Sequence, residues 1–186
     1  MSSFTHFNTD GRAKMVNVSG KDVTTREAVA RGRVYMKSET IDLIEKGRMK
    51  KGDVLAVAQV GGIMGAKQTW SLIPMCHPLN ISGVDMAFEL NRDISAVEIE
   101  ARVSVEGKTG VEMEALTAVS IGALTVYDMC KAVDKEMVIG DIMLVKKTGG
   151  KSGDFVSSVV ICQEKVFGTL FDRAKEELRE HTEEKG

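Results

Sequence analysis

Asp128 and Lys131 are the side chains whose types and spacing most directly indicate chemistry in this sequence. They end a stretch, residues 108–131, in which no residue from Ala115 to Tyr127 is charged, as expected for a helix buried on most sides. Residues three apart are neighbours on a helix surface, so the carboxylate and the ammonium group should interact. Two interpretations stay open: a structural ion pair, or a general acid and base in which burial lowers the lysine pKa toward neutrality.

Two further carboxylates, Glu112 and Glu114, lie near the other end of the same stretch. At 100° per residue, Glu114 comes to within about 40° of the face that carries Asp128, whereas Glu112 lies about 160° away. Fourteen helical residues span about 21 Å, so one small pocket in one subunit cannot use both ends. A pocket to which two subunits each contribute one end of the helix would remove this difficulty.

A turn with the sequence Met75-Cys76-His77-Pro78 is the second candidate for a site. His77 is either a hydrogen-bonded loop histidine or a group that contacts a ligand, and local sequence does not decide between them. A metal site built on Cys76 and His77 is disfavoured, because no second pair of ligands occurs at a spacing typical of zinc.

A glycine-rich basic segment, residues 146–153 (KKTGGKSG), is the third candidate. It is not a Walker A loop, because Val145 stands where that motif requires glycine and a strand is predicted to follow where it requires a helix. Its backbone N–H groups, together with Lys147 and Lys151, are suited to bind a phosphate, although a solvated basic turn is the plainer interpretation. Lys51, taken alone, has the pattern of a surface lysine.

Composition restricts the classes of function. The 186 residues carry a net charge of −2, which argues against general affinity for nucleic acid. The three cysteines are far apart and form no CxxC motif, so a reducing cytoplasm is expected rather than a disulfide framework. The N-terminus lacks the apolar core of a signal peptide, and no segment is long and apolar enough to span a membrane.

Periodicity predicts the elements that position these groups. A helix should begin at Ser38 and end near Gly47, and a longer one, N-capped by Asp53, should end at Pro74. Alternating apolar residues over 84–90 and 97–105 predict an antiparallel hairpin with one solvated face. The segment 142–147 (IMLVKK) predicts a strand buried on both faces, the run 155–163 another strand, and the segment from residue 169 a charged helix.

The resulting order, β-α-β-β-α-β-β-α from about Arg33, predicts an α+β fold. Helices should pack on one face of a mostly antiparallel sheet, as in ferredoxin-like plaits. We expect a flexible N-terminal tail at 1–14, a single catalytic domain at 15–168 and a charged C-terminal helix or tail at 169–186. No internal repeat or linker is evident.

Three motifs in this order and spacing resemble one known family. MCHPL, KTGVEMEALTAVSIGALTVYDMCKA and KTGGKSG look like the cyclic pyranopterin monophosphate synthase (MoaC) family of molybdenum cofactor biosynthesis. The resemblance runs from about Met15 to Cys162, and the central helix motif is highly specific. One departure is Asn17, where the family pattern leads us to expect an aspartate, which puts a charge-based role at that position in doubt.

The resemblance implies a lyase that converts (8S)-3′,8-cyclo-7,8-dihydroguanosine 5′-triphosphate to cyclic pyranopterin monophosphate and releases pyrophosphate. It implies no redox cofactor, with Mg²⁺ alongside the pyrophosphate left open. It also implies a ferredoxin-like plait assembled as a homohexamer, a trimer of dimers, with active sites at a subunit interface. No nucleic acid or membrane partner is expected.

The resemblance also implies roles for individual residues. The family's catalytic aspartate falls on Asp128, and the lysines implicated in acid–base chemistry fall on Lys51 and Lys131. Substrate contacts fall on Met75, Cys76, His77, Met113 and Glu114, with Glu112, Lys67 and Lys147 as plausible additions. Release of pyrophosphate needs cations over the leaving group, and Arg26, Lys147 and Lys151 are suited to that task.

Two other classes of function compete with this prediction. A non-enzymatic α+β module can bind a nucleotide as a sensor, and such a module would bind the cyclic triphosphate without releasing pyrophosphate. A plait that binds RNA on its sheet is disfavoured, because such sheets need exposed aromatic residues and positive charge. The predicted solvated face carries five carboxylates opposed only by Arg102: Asp85, Glu89, Glu98, Glu100 and Glu106.

Overall fold

The computed structural model describes residues 10, 12, 14–151 and 153–158. They form a five-stranded sheet in the order β2-β3-β1-β4-β5, in which every neighbouring pair is antiparallel. The elements along the chain are β1 (Thr24–Tyr35), α1 (Ser38–Glu45), α2 (Val54–Leu72), β2 (Ile81–Asn91), β3 (Ala96–Gly107), α3 (Glu112–Cys130), β4 (Val138–Thr148) and β5 (Phe155–Val156).

This arrangement confirms the predicted α+β plait, because β1 to β4 lie in the order β2-β3-β1-β4, with β3 and β1 as the inner pair of these four, and the crossover helices lie on one face. The basic segment around Arg31 and Arg33 forms the C-terminal half of the central strand β1. The predicted strand 155–163 is present at its beginning as β5. The strand ends at Val156, so the prediction is wrong at residues 157 and 158, which are described and do not continue it. Residues 159–163 and the predicted helix from residue 169 lie outside the described residues, so the predicted domain boundaries stay predictions.

The two long helices pack closely through glycines, as the glycine-rich sequence of α2 indicates. A Cβ atom on Gly62 would lie 2.8 Å from the carbonyl oxygen of Ala118 in α3, and one on Gly65 would lie 2.7 Å from Ile121. Asp53 caps α2 as predicted, accepting a hydrogen bond from the backbone N–H of Ala56 at 3.0 Å. The close approach fixes α3 over the sheet and therefore fixes where its two ends lie.

The hairpin of β2 and β3 is confirmed, and Asp85 and Glu106 are exposed as predicted, but the prediction of a solvated face is wrong at Glu98 and Glu100. Glu100 has no exposed surface, and its carboxylate accepts a hydrogen bond from Arg31 Nε at 2.6 Å. Glu98 accepts a hydrogen bond from Arg33 Nε at 2.9 Å. The neighbouring strand β1 therefore supplies the positive charges that the hairpin sequence lacks, and pairing of strands far apart in sequence could not be deduced from the hairpin alone.

The prediction that residues 142–147 form a strand buried on both faces is also wrong within this chain. These residues lie in β4, but Ile142 is 38% exposed and only Val145 is fully buried. The strand is near the edge of the sheet and is paired with the two-residue strand β5 over part of its length.

Among the described residues, no helix is long and apolar enough to cross a membrane.

Candidate active site

The C-terminal end of α3 carries a compact cluster of Lys51, Asp128 and Lys131. Lys51 Nζ lies 2.6 Å from Asp128 Oδ2 and also donates to the Asp128 carbonyl oxygen at 2.8 Å. Lys131 Nζ lies 2.7 Å from the other carboxylate oxygen, Asp128 Oδ1. The predicted contact between Asp128 and Lys131 is confirmed, and the fold brings Lys51 to the same carboxylate from 77 residues away.

Local structure explains how each member of this acid–base cluster is held. Lys131 is the C-cap of α3, and its backbone N–H donates to the Tyr127 carbonyl oxygen at 2.8 Å. Both ammonium groups therefore lie where the helix dipole favours positive charge. Lys51 lies in a tight turn between α1 and α2 that closes with a hydrogen bond from Gly52 N to Met49 O at 3.0 Å.

The protonation of the cluster separates the two interpretations of the pair. Hydrogen bonds from Lys131 and then Lys51 lower the pKa of Asp128 to about 2. The hydrogen bond to Asp128 raises the pKa of Lys131, as in an ion pair, and burial does not lower it toward neutrality. The reason is exposure: the Lys131 and Asp128 side chains are 52% and 54% exposed, so the carboxylate outweighs the loss of solvation.

A cavity of about 260 Å³ lies at the other end of α3. Its walls come from the segment before β1, from β1 itself, from the turn after α2, from the start of α3 and from the end of β4. The lining residues are Val16, Val18, Lys21, Arg26, Glu27, Met75, His77, Thr109, Gly110, Glu112, Lys147, Thr148 and Gly149.

The cavity holds three cations, Lys21, Arg26 and Lys147, against the two carboxylates Glu27 and Glu112. Lys147 Nζ lies 3.1 Å from Glu112 Oε1, and both side chains are largely buried. Arg26 Nε donates to the Gly107 carbonyl oxygen at 3.0 Å, which holds the guanidinium group at the cavity wall. This excess of positive charge suits an anionic ligand.

The turn after α2 contributes His77 to this cavity as a hydrogen-bonded histidine. His77 Nε2 lies 2.9 Å from the Val16 carbonyl oxygen, which can only accept, so Nε2 carries the proton. His77 thus also fixes the segment that forms one side of the cavity. The loop hydrogen bond is therefore present and His77 lines the cavity, whereas contact of His77 with a ligand stays a prediction.

Glu114 is buried near the start of α3, close enough to the partly buried Cys76 for its charge to act on that thiol. Glu114 is only 4% exposed, and burial raises its pKa to about 6, with a contribution from the charge of Glu112. Burial likewise raises the pKa of the Cys76 thiol, and the nearby Glu114 charge adds to the effect. Glu114 therefore exchanges a proton near neutral pH, which suits a proton donor or acceptor.

The structure thus gathers the predicted site residues into two groups, one at each end of α3. Three predicted contacts belong to neither group within one chain: Lys67 is exposed on α2, Met113 is 37% exposed, and Lys151 is exposed beyond β4. Lys21 was missed as a site residue. Its only sequence signal is membership of the basic stretch that becomes β1 and the segment before it.

Metal ligation was not predicted, and the structure offers no argument for it in the part of the chain it describes. Among those residues, no three histidine, cysteine, aspartate or glutamate side chains are grouped so that they could hold a metal ion. Cys76 and Cys130 are free thiols.

The plait carries two lysines against one carboxylate at one end of α3 and a cavity lined by three cations at the other, an arrangement suited to an enzyme that acts on a small anionic molecule. The family model described as the MoaC family matches residues 15–150, and the chain belongs to that family. The match covers the three motifs on which the resemblance was based, up to the second glycine of the basic segment.

Curated relatives are similar over nearly their whole length. Proteins named cyclic pyranopterin monophosphate synthase are 66% identical over 152 residues in Peptoclostridium acidaminophilum and 63% identical over 151 residues in Thermoanaerobacter sp. (strain X514). The alignments cover 82% and 81% of this chain and 96% of each relative. A third relative of that name, from Clostridium acetobutylicum, is 62% identical over 152 residues, which are 82% of this chain and 94% of that protein.

Proposed function

We propose that this chain is a cyclic pyranopterin monophosphate synthase of molybdenum cofactor biosynthesis. It converts (8S)-3′,8-cyclo-7,8-dihydroguanosine 5′-triphosphate to cyclic pyranopterin monophosphate and acts as a lyase that releases pyrophosphate. Membership of the MoaC family and the names of its relatives support this activity. The observation that carries it is the contact of Lys51 and Lys131 with one carboxylate, that of Asp128.

The acid–base cluster supplies protons during the rearrangement. Opening the imidazoline ring of the substrate and closing the pterin ring require several proton transfers. Asp128 stays ionised at neutral pH and stabilises the protonated form of Lys131, so this lysine begins the cycle as a general acid. A protonated lysine that donates to the substrate becomes neutral and is then the base for the next transfer.

The cationic cavity binds the triphosphate. Lys21, Arg26 and Lys147 face the charge that collects on the leaving pyrophosphate when a sugar hydroxyl oxygen attacks the α-phosphorus. That attack forms one P–O bond and breaks the bond between the α-phosphorus and the bridging oxygen. The hydroxyl proton passes to a neighbouring base, for which the buried Glu114 is suited because its pKa is about 6.

One active site uses both ends of α3, each from a different subunit. The two groups of residues are about 21 Å apart along one helix, too far for one small substrate. Large apolar side chains are exposed on the outer helical face: Val60 at 59%, Met64 at 60%, Trp70 at 51% and Leu124 at 55%. Such a face favours burial against a second subunit, within a homohexamer built as a trimer of dimers.

Complementation tests this arrangement. Mixing an inactive Lys51→Ala chain with an inactive Arg26→Ala chain should restore about a quarter of the wild-type turnover per site, since one shared site in four would then carry both intact groups. Mixtures that stay inactive, although heteromers form, would contradict the shared site. Sedimentation of the wild-type chain as a monomer would contradict it as well.

The catalytic roles are tested with single variants. Lys51→Ala and Lys131→Ala should each reduce release of pyrophosphate by about 10²-fold or more while leaving the fold intact. Lys135→Ala, an exposed lysine outside both groups, is the matched control. Near-normal turnover in both cluster variants would overturn the proton-transfer roles, and tight binding of the cyclic triphosphate without any turnover in the wild type would favour the sensor function instead.

We propose further that the reaction needs no cofactor and that the protein works in the cytoplasm without a nucleic acid or membrane partner. Free thiols at Cys76 and Cys130 suit a reducing compartment. Turnover should persist after dialysis against EDTA. If turnover is instead lost on dialysis and restored by Mg²⁺ alone, the pyrophosphate leaves as its magnesium complex.

A further inference from the structure

The three members of the acid–base cluster come from two separate parts of the chain. Asp128 and Lys131 belong to the end of α3, and Lys51 belongs to the turn that follows α1. Their direct contacts join side chains that are 43% to 54% exposed. Exposed ion pairs contribute only about 0–1 kcal/mol each, so these contacts alone do not hold the two parts in register.

Asp134 supplies a buried connection between the same two parts. It lies in the turn after α3 and is only 2% exposed. Its Oδ2 accepts hydrogen bonds from the Lys37 backbone N–H at 2.9 Å and from Thr40 Oγ1 at 3.1 Å, both at the start of α1. Its Oδ1 accepts from the backbone N–H of Glu136 at 3.1 Å, and its own N–H donates to the Cys130 carbonyl oxygen at 3.1 Å.

The Asp134 carboxylate also supplies a hydrogen-bond acceptor at the start of α1, which has no capping side chain of its own. Lys37 is the N-cap of α1, and its own side chain makes no capping hydrogen bond. The negative charge of Asp134 lies where the helix dipole favours it. Burial acts to raise the pKa of Asp134, but the hydrogen bonds from Lys37, Glu136 and Thr40 outweigh it and lower the pKa, so the group stays charged.

We propose that Asp134 is a positioning residue for the acid–base cluster, because it ties the start of α1 to the end of α3 and so sets Lys51 against Asp128. The proposal rests on the proposed function only for its effect on turnover. The geometric effect, the contact of Lys51 with Asp128, is independent of any activity.

Three variants separate this role from a contribution to stability. Asp134→Ala removes the connection, and Thr40→Val removes one of its hydrogen bonds with little change in shape, whereas Thr40→Ser keeps the hydroxyl group. Arg92→Ala is the control, because Arg92 ties α1 to the β2–β3 turn through Asp42 at 2.9 Å and does not touch the end of α3.

Two measurements are made on the full chain at a temperature where each variant is folded. Steady-state release of pyrophosphate should show kcat lowered about 100-fold in Asp134→Ala and less in Thr40→Val, with KM changed by less than about threefold. Thr40→Ser and Arg92→Ala should retain kcat. NMR titration of the Asp128 carboxyl carbon should show its pKa rising from about 2 toward 3.8 in Asp134→Ala, as the contact with Lys51 loosens.

Each result either supports or overturns the positioning role of Asp134. An unchanged Asp128 titration with wild-type kcat in Asp134→Ala would overturn the positioning role, as would an equal loss of kcat in Arg92→Ala. If Asp134→Ala does not fold, Thr40→Val compared with Thr40→Ser decides by the same two readouts. If the wild-type chain itself releases no pyrophosphate, the proposed function fails, and the titration alone still decides whether Asp134 positions the cluster.

Discussion

Replacing the buried Glu114 by glutamine should stabilise the protein at neutral pH and leave its stability in acid nearly unchanged. Glu114 is 4% exposed, and burial raises its pKa from 4.5 to about 6. Each pKa unit corresponds to about 1.36 kcal/mol, so the ionised group destabilises the native state by about 2 kcal/mol at pH 7. Glutamine keeps the shape of the side chain without the charge.

The direction follows from proton linkage. Between pH 4.5 and about 6 the native state binds more protons at this site than the unfolded state does. The stability that depends on Glu114 is therefore greatest below pH 4.5 and falls as the pH rises through about 6. This is the reverse of the behaviour of a carboxylate held in an ion pair, such as that of Asp128.

Urea denaturation of the wild type and Glu114→Gln across pH 4 to 8 measures the effect. The difference in the free energy of unfolding should grow from near zero to about 2 kcal/mol in favour of the variant, or about 4–8 °C in Tm for a chain of this size. Glu106→Gln, at an exposed position of β3, is the control and should show no such growth. A difference that is flat with pH, or that grows toward acid, would refute the reasoning.

Three further perturbations have definite outcomes. Asp128→Asn removes the carboxylate that raises the pKa of Lys131, so the Nζ titration measured by NMR should move down; an unmoved titration would contradict the contact. Gly149→Ala places a Cβ 2.4 Å from a backbone carbonyl oxygen of β1 at a φ of +83°, so pyrophosphate binding measured by calorimetry should weaken by about tenfold, equivalent to about 1.4 kcal/mol. Gly62→Ala places a Cβ 2.8 Å from the Ala118 carbonyl oxygen, which should lower the free energy of unfolding by about 1–3 kcal/mol in chemical denaturation despite the better helix propensity of alanine. Unchanged pyrophosphate binding in Gly149→Ala, or unchanged stability in Gly62→Ala, would contradict the prediction and show that the backbone shifts to make room for the added Cβ.

The elements were predictable because their signals are local. Asp53 caps α2, Gly47 follows α1, and the alternation of apolar residues marks both strands of the hairpin. These features depend on the periodicity of side chains and on backbone preferences within a few residues. The order of elements then favoured a plait, and the structure confirms it.

The two errors in the fold concern neighbours across the sheet. The charges of Glu98 and Glu100 were predicted to meet water, but β1 places Arg31 and Arg33 beside them. The strand 142–147 was predicted to be covered on both faces, but it lies toward the sheet edge. Which strand lies beside which is set by packing over the whole domain, and the periodicity of one strand carries no information about it.

In the candidate site, too, local features were predictable and long-range contacts were not. The sequence by itself determined the contact of Asp128 with Lys131, because three residues of helix place these groups on one face. It also determined the separation of the two ends of α3, because the rise per residue of a helix is constant. Only the tertiary structure brought Lys51 to Asp128 and exposed the cluster to solvent, so that the pKa of Lys131 rises instead of falling. Contact between residues 77 apart and burial of a side chain are properties of the packed domain, and no short stretch of the sequence contains them.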